Sequence, residues 1–213
     1  MMRVVYLHGF ASSPLSSKAQ WFGKRLDMVI PDLAEGDFEH LTISRQLRVV
    51  EEAAGDEPVV LIGSSLGGYL AALYAARHAS VEKLVLMAPA FCFPKRWAET
   101  MGVDKIATWK RTGILPVFHY GEGRNRNLSF DLMNDAEGYE AYPDFQQPAL
   151  IFHGVRDTMV PSCLSEYFAA HHPNAKLHLV DSDHELVDVL DVMWNGMREF
   201  LEIECAAGAV LRR

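Results

Sequence analysis

The sequence predicts an α/β protein, with a mostly parallel sheet of about six strands, helices on both faces and one long insertion. Strand-like runs recur at 3–7, 28–30, 59–62, 83–87, 149–152 and 176–180, and the run at 59–62 is β-branched and aliphatic throughout, as expected of a strand buried on both faces. Helix-like segments lie between several of them, at 16–26, 41–54, 66–78, 162–171 and 185–201. Strands separated by helices need crossover connections, and so pair in parallel. The third observation is local: Gly63-Ser64-Ser65-Leu66-Gly67 joins the run at 59–62 directly to the helix-like segment that follows.

Along the chain, the first run enters the loop Leu7-His8-Gly9-Phe10-Ala11-Ser12-Ser13-Pro14. The run 59–62 ends in the sharp turn, where Gly63 and Gly67 flank Ser65 at two residues either side. Side chains at those two positions would collide with the neighbouring strand or helix, which is the mechanical reason for the G-x-S-x-G spacing. As a bare pattern the pentapeptide is a weak signal; its strand-turn-helix context gives it weight. The alternation breaks at 90–145, far longer than an ordinary βα connection. A short helix near 95–101 and a hairpin returning 117–120 as 128–132 across 121–127 are expected there, forming a cap over the carboxyl edge of the sheet. The runs at 149–152 and 176–180 each lead into a polar loop, holding Asp157 and His184 respectively. The last helix shows a helical period, with Leu186, Val189, Leu190, Met193, Met197 and Phe200 on one side.

At 213 residues and 49% hydrophobic content the chain can bury a full core. One domain over 1–204 is expected, with a loose tail over 205–213. No targeting segment or run of membrane-spanning length is apparent. Cys92, Cys163 and Cys205 are odd in number and widely spaced, which fits a reducing cytoplasm and disfavours a disulfide framework. A net charge of −8 argues against a nucleic-acid partner. The nine histidines are scattered, so no metal centre is expected. The turn at 63–69 also lacks the lysine and hydroxyl of a nucleotide-phosphate loop.

A serine is a poor nucleophile without a base in contact and an acid to orient that base. Ser65, Asp157 and His184 follow in the order Ser, Asp, His, each just past the carboxyl end of a predicted strand. Singly, Asp157 reads as a loop or cap carboxylate and His184 as a helix-start residue; the serine turn gives them a joint meaning. Asp181 and Asp183 compete for the acid role but adjoin His184 too closely to reach its far ring nitrogen. The amides of Leu66 and Phe10 are the expected donors to a developing oxyanion. His8 and His153 read as structural braces.

With these residues in view, His8-Gly9-Phe10, Gly63 to Gly68, Asp157 and His184 together resemble the α/β-hydrolase superfamily of serine hydrolases. More narrowly, the stretch from Tyr6 to Ala19 with Gly-Ser-Ser-Leu-Gly-Gly-Tyr resembles the small bacterial YqiA-like esterases of the UPF0227 group. The resemblance implies an α/β-hydrolase fold and carboxylesterase-type hydrolysis of small-molecule esters or thioesters without a cofactor. An alternative of another class is a non-catalytic small-molecule or anion-binding protein on the same scaffold, with the helix start at Leu66 holding an anion.

Between Lys95 and Arg126 seven basic residues face three acidic ones, a local charge of +4 on a chain of −8. Arg124 and Arg126 are therefore candidate contacts for an anionic substrate, such as an acyl-CoA or a carboxylated ester; the other reading is a solvated cap surface. Trp97, Trp109 and Phe118 are candidate walls of an acyl or aryl pocket. They, with Phe91, Phe93, Tyr120 and Phe130, equally suit a small core of the cap's own.

Overall fold

The computed structural model describes residues 3–203. The predicted tail over 205–213 lies outside the described residues. In chain order the elements are β1 (Arg3–Leu7), α1 (Ser17–Gly23), α2 (Ile43–Ala54), β2 (Val59–Ser64), α3 (Leu66–Ala75) and β3 (Val81–Met87). Then come α4 (Phe93–Met101), α5 (Val103–Thr112), β4 (Ile114–His119), β5 (Arg124–Ser129) and α6 (Asp131–Ala136). The described residues end with β6 (Ala149–Gly154), α7 (Cys163–His171), β7 (Ala175–Val180), a 3₁₀ turn at Val187–Val189 and α8 (Leu190–Leu201).

Five strands pair in parallel in the order β1-β2-β3-β6-β7. Beyond β1 the predicted run at 28–30 contributes a single parallel bridge, Val5 to Val29. Two hydrogen bonds hold it, from the Tyr6 amide to the Val29 carbonyl at 2.8 Å and from the Val29 amide to the Val4 carbonyl at 2.9 Å. Pro31 follows immediately and has no amide hydrogen to extend a ladder. The chain therefore leaves β1 on one side and returns on the other as β2. Such a reversal opens a crevice at the carboxyl ends of the strands.

Alternation along the strands divides the core in two. Val5, Leu7, Leu61, Leu84, Leu86 and Ile151 pack with α2, α3 and α7 on one face. Tyr6, Val60, Ile62, Val85, Leu150 and Phe152 pack with α1 and α8 on the other. Every residue of α3 is buried, in keeping with its apolar LGGYLAALYA sequence. Thr42 caps α2, its side chain accepting from the Arg45 amide at 3.1 Å.

The insertion departs from expectation in detail. The hairpin pairs Ile114–His119 with Arg124–Ser129, Phe118 opposite Asn125, around a turn of four residues at 120–123. Gly123, at φ +65°, allows that shorter turn, and Leu132 lies not in the returning strand but in α6. Neither α5 nor α6 was expected. The last helix also starts later than 185: Leu186 takes a left-handed φ of 55°, so α8 begins only after the 3₁₀ turn. No helix among the described residues is long and apolar enough to cross a membrane.

Candidate active site

Ser65 occupies the turn between β2 and α3 with φ 53° and ψ −117°, a strained conformation for a residue with a side chain. The surrounding contacts over-determine it. Its amide donates to the Met87 carbonyl at 2.9 Å, and its carbonyl accepts from the amides of Gly68, Tyr69 and Ala90 at 3.0, 3.1 and 3.0 Å. The two flanking glycines are required by close approach: a Cβ on Gly63 would strike the Gly67 backbone, and one on Gly67 would strike the carbonyls of Leu7 and His8.

Asp157 follows β6 and His184 follows β7, so both reach the edge where Ser65 stands. His184 Nδ1 lies 2.7 Å from Asp157 Oδ2 and Nε2 lies 3.0 Å from Ser65 Oγ. The carboxylate accepts only, so Nδ1 donates and Nε2 is left to accept the serine proton. Asp157 Oδ1 accepts the amides of Met159 and Val160 at 2.9 and 2.8 Å. Burial alone would push the Asp157 carboxyl up. Hydrogen bonds from His153 and His184, the charge of His184 and the Val160 amide outweigh that and hold it below the usual carboxylate range.

His153 has more to do than a sequence reading gives it. Wholly buried, it donates through Nε2 to the Val160 carbonyl at 2.7 Å, and Nδ1 lies 2.8 Å from Ser165 Oγ. The same Nε2 lies 3.2 Å from Asp157 Oδ2, so the carboxylate sits between two imidazoles. The four-residue spacing to Asp157 was the only signal of this. His8 is buried and braces the β1 loop: Nδ1 donates to the Gly9 carbonyl at 3.0 Å, and Nε2 accepts from the Leu33 amide at 3.4 Å. Burial pushes its pKa down, keeping it neutral. Asp181 pairs with Arg156 at 2.8 Å, and Asp183 accepts the Glu185 amide at 2.9 Å. Neither touches the His184 ring.

Ser65 and His184 open onto a cavity of about 240 Å³. Phe10, Leu66, Ala90, Phe91, Phe93, Arg96, Trp97, Thr100, Thr158 to Pro161 and Leu164 line it with them. A Cβ on Gly9 would sit 3.5 Å from Ser65 Cβ, so the β1 loop is packed directly against the serine. Phe10 packs edge-on to Trp97, centroids 5.0 Å apart. A larger depression, about 620 Å³, lies around Arg3, Met28, Glu57 and Glu82 at the opposite end of the sheet, where no nucleophile meets a base.

Of the predicted wall residues, Trp97 lines the cavity; Trp109, Phe118, Arg124 and Arg126 do not. Trp109 is buried among Trp97, Phe130 and the hairpin, its Nε1 donating to the Leu128 carbonyl at 3.0 Å. Phe118 is half-exposed beside Tyr120. Arg124 and Arg126 both pair with Glu122.

A family model described as Uncharacterised protein family UPF0227 matches residues 3–202. The chain belongs to that family. This UPF0227 member is also 25% identical over 166 residues to the pimeloyl-[acyl-carrier protein] methyl ester esterase of Aromatoleum aromaticum, covering 59% of this chain and 66% of that one. Among solved structures it superimposes on Est1E of Butyrivibrio proteoclasticus with ferulic acid bound, at TM-score 0.79 and 20% identity, covering 95% and 88% of the two chains. Mouse alpha/beta hydrolase domain-containing protein 10 matches at TM-score 0.77 and 20% identity, covering 93% and 89%. The fold of the UPF0227 chain is thus that of the α/β hydrolases.

Proposed function

We propose that this protein is a serine hydrolase that cleaves carboxylic esters or thioesters of small acyl groups through an acyl-enzyme on Ser65. The observation that carries the reading is the unbroken series of hydrogen bonds from Ser65 through His184 to Asp157, opening onto an apolar cavity. Ser65 Oγ attacks the substrate carbonyl while His184 Nε2 takes its proton; the imidazolium returns that proton to the leaving alkoxide or thiolate. Asp157 holds the ring in the required tautomer and stabilises the imidazolium. The amides of Phe10 and Leu66 stabilise the negative oxygen, Leu66 from the start of α3. Water, deprotonated by His184, then attacks the acyl-enzyme and releases the acid and Ser65. The segment between β3 and β6 acts as a cap, with α4 walling the acyl site through Phe93 and Trp97.

The ester substrate named for the Aromatoleum relative supports an ester-cleaving reading at the level of reaction class. The test is hydrolysis of short p-nitrophenyl esters and acyl thioesters by wild type and Ser65→Ala. The variant should fold and lose at least about a thousandfold in turnover; a Ser65→Ala rate comparable with wild type would refute the mechanism.

A further inference from the structure

The motif after the first strand ends in Ser16-Ser17-Lys18-Ala19, and its lysine has no part in the steps above. Lys18 stands on α1 between the buried sheet face and the loop that carries His184, its side chain only 9% exposed. Nζ donates to the Glu185 carbonyl at 2.5 Å and lies 3.7 Å from the Glu185 carboxylate. Glu185 is the residue immediately after His184. An ammonium is costly to bury, and burial pushes the Lys18 pKa down; the carboxylates of Glu185, Asp183 and Asp157 pull it back. A buried contact between elements so far apart in the chain calls for an explanation.

The surroundings of His184 supply one. Asp157 meets the ring from the β6–α7 loop and Ser65 from the β2–α3 turn, while Asp183 and Glu185 flank it in its own loop. His153, on β6, reaches it only through Asp157. Lys18 therefore ties α1 to the residue next to His184, whose ring Asp157 and Ser65 meet from two other elements. We propose that Lys18 is a positioning residue for His184, pinning its loop across α1. The inference rests on the catalytic reading of Ser65 and His184.

The experiment compares kcat and KM for a neutral p-nitrophenyl ester in wild type, Lys18→Met, Lys18→Gln and Ser65→Ala, with folding checked by circular dichroism. Lys18→Met should lower kcat about 10- to 100-fold through loss of loop placement. KM should hold nearly constant, because Lys18 lines no part of the cavity. Lys18→Gln, which keeps an N–H for the carbonyl, should recover at least part of that rate, and it carries the same comparison if Lys18→Met does not fold. A folded Lys18→Met with wild-type kcat, or one whose KM rises as its kcat falls, overturns the proposal. Ser65→Ala separates the two ideas: an inactive Ser65→Ala beside a Lys18 variant of wild-type kcat fails Lys18 only. A fully active Ser65→Ala fails the catalytic reading, and Lys18 with it.

Discussion

Replacing Gly67 by alanine probes how the turn carrying Ser65 is built. Helix propensity alone favours alanine in α3 by about 1 kcal/mol, so a roomy turn would gain stability. The turn is not roomy. The added Cβ would lie 2.5 Å from the His8 carbonyl oxygen, 2.6 Å from the Leu7 carbonyl carbon and closer still to the Leu7 oxygen. These are backbone atoms at the end of β1, where Leu7 pairs with Gly63, so no side chain can swing aside. Reaching an ordinary 3.4 Å contact with His8 alone requires the strand end to withdraw by about 0.9 Å, and the nearer Leu7 oxygen requires more. Overpacking of this kind costs about 3 kcal/mol, which leaves a net loss of about 2 kcal/mol after the helix gain. For a chain of this size that lowers Tm by about 4 to 8 °C. The same movement displaces Phe10 from Ser65 by close to 1 Å, enough to slow reaction about 100-fold. Thermal unfolding by circular dichroism and the rate of fluorophosphonate labelling read the two effects separately. A Gly67→Ala variant as stable as wild type, labelling at the same rate, would refute the reasoning.

Other perturbations address the acid, the cavity and the cap. Asp157 is held below the usual carboxylate range, so its stabilising contribution is complete above about pH 4 and is lost as pH falls through the lowered folded value. The Tm gap between wild type and Asp157→Asn should stay level from about pH 8 to 5 and narrow below about 4; a gap that widens on acidification contradicts this. Trp97→Ala removes one wall of the cavity, and kcat/KM for a longer acyl ester relative to acetate should rise about tenfold. An unchanged ratio would place the acyl chain elsewhere. Because Arg124 and Arg126 pair with Glu122 away from the cavity, replacing both by alanine should change KM equally for anionic and neutral esters. A rise confined to anionic esters would show that cap charge reaches the substrate.

The sheet was legible because β2 and β6 are buried on both faces and leave unbroken apolar runs, from which Ser65 and Asp157 follow; His184 follows β7, an edge strand whose apolar residues alternate with Lys176 and His178. Residues 28–30 looked like the other strands, but Pro31 limits them to one bridge. The insertion was harder. Aromatic spacing alone does not say which side of a helix faces the sheet edge; Phe93 and Trp97, four apart on α4, line the cavity, whereas Trp109 on α5 turns to the hairpin. The partners of Asp157 and Lys18 are tertiary: His153 reaches the acid by the turn that follows β6, and Lys18 meets Glu185 across 167 residues. No local pattern encodes the meeting of Lys18 with Glu185.

The most direct test of Ser65 as an activated nucleophile needs no knowledge of the substrate. Folded protein is treated with a fluorophosphonate, weighed intact by mass spectrometry and mapped by peptide sequencing. A single adduct on Ser65, lost in His184→Ala, is the predicted result. No adduct, or one on another residue that survives the loss of His184, would contradict the mechanism and favour a binding role for the cavity.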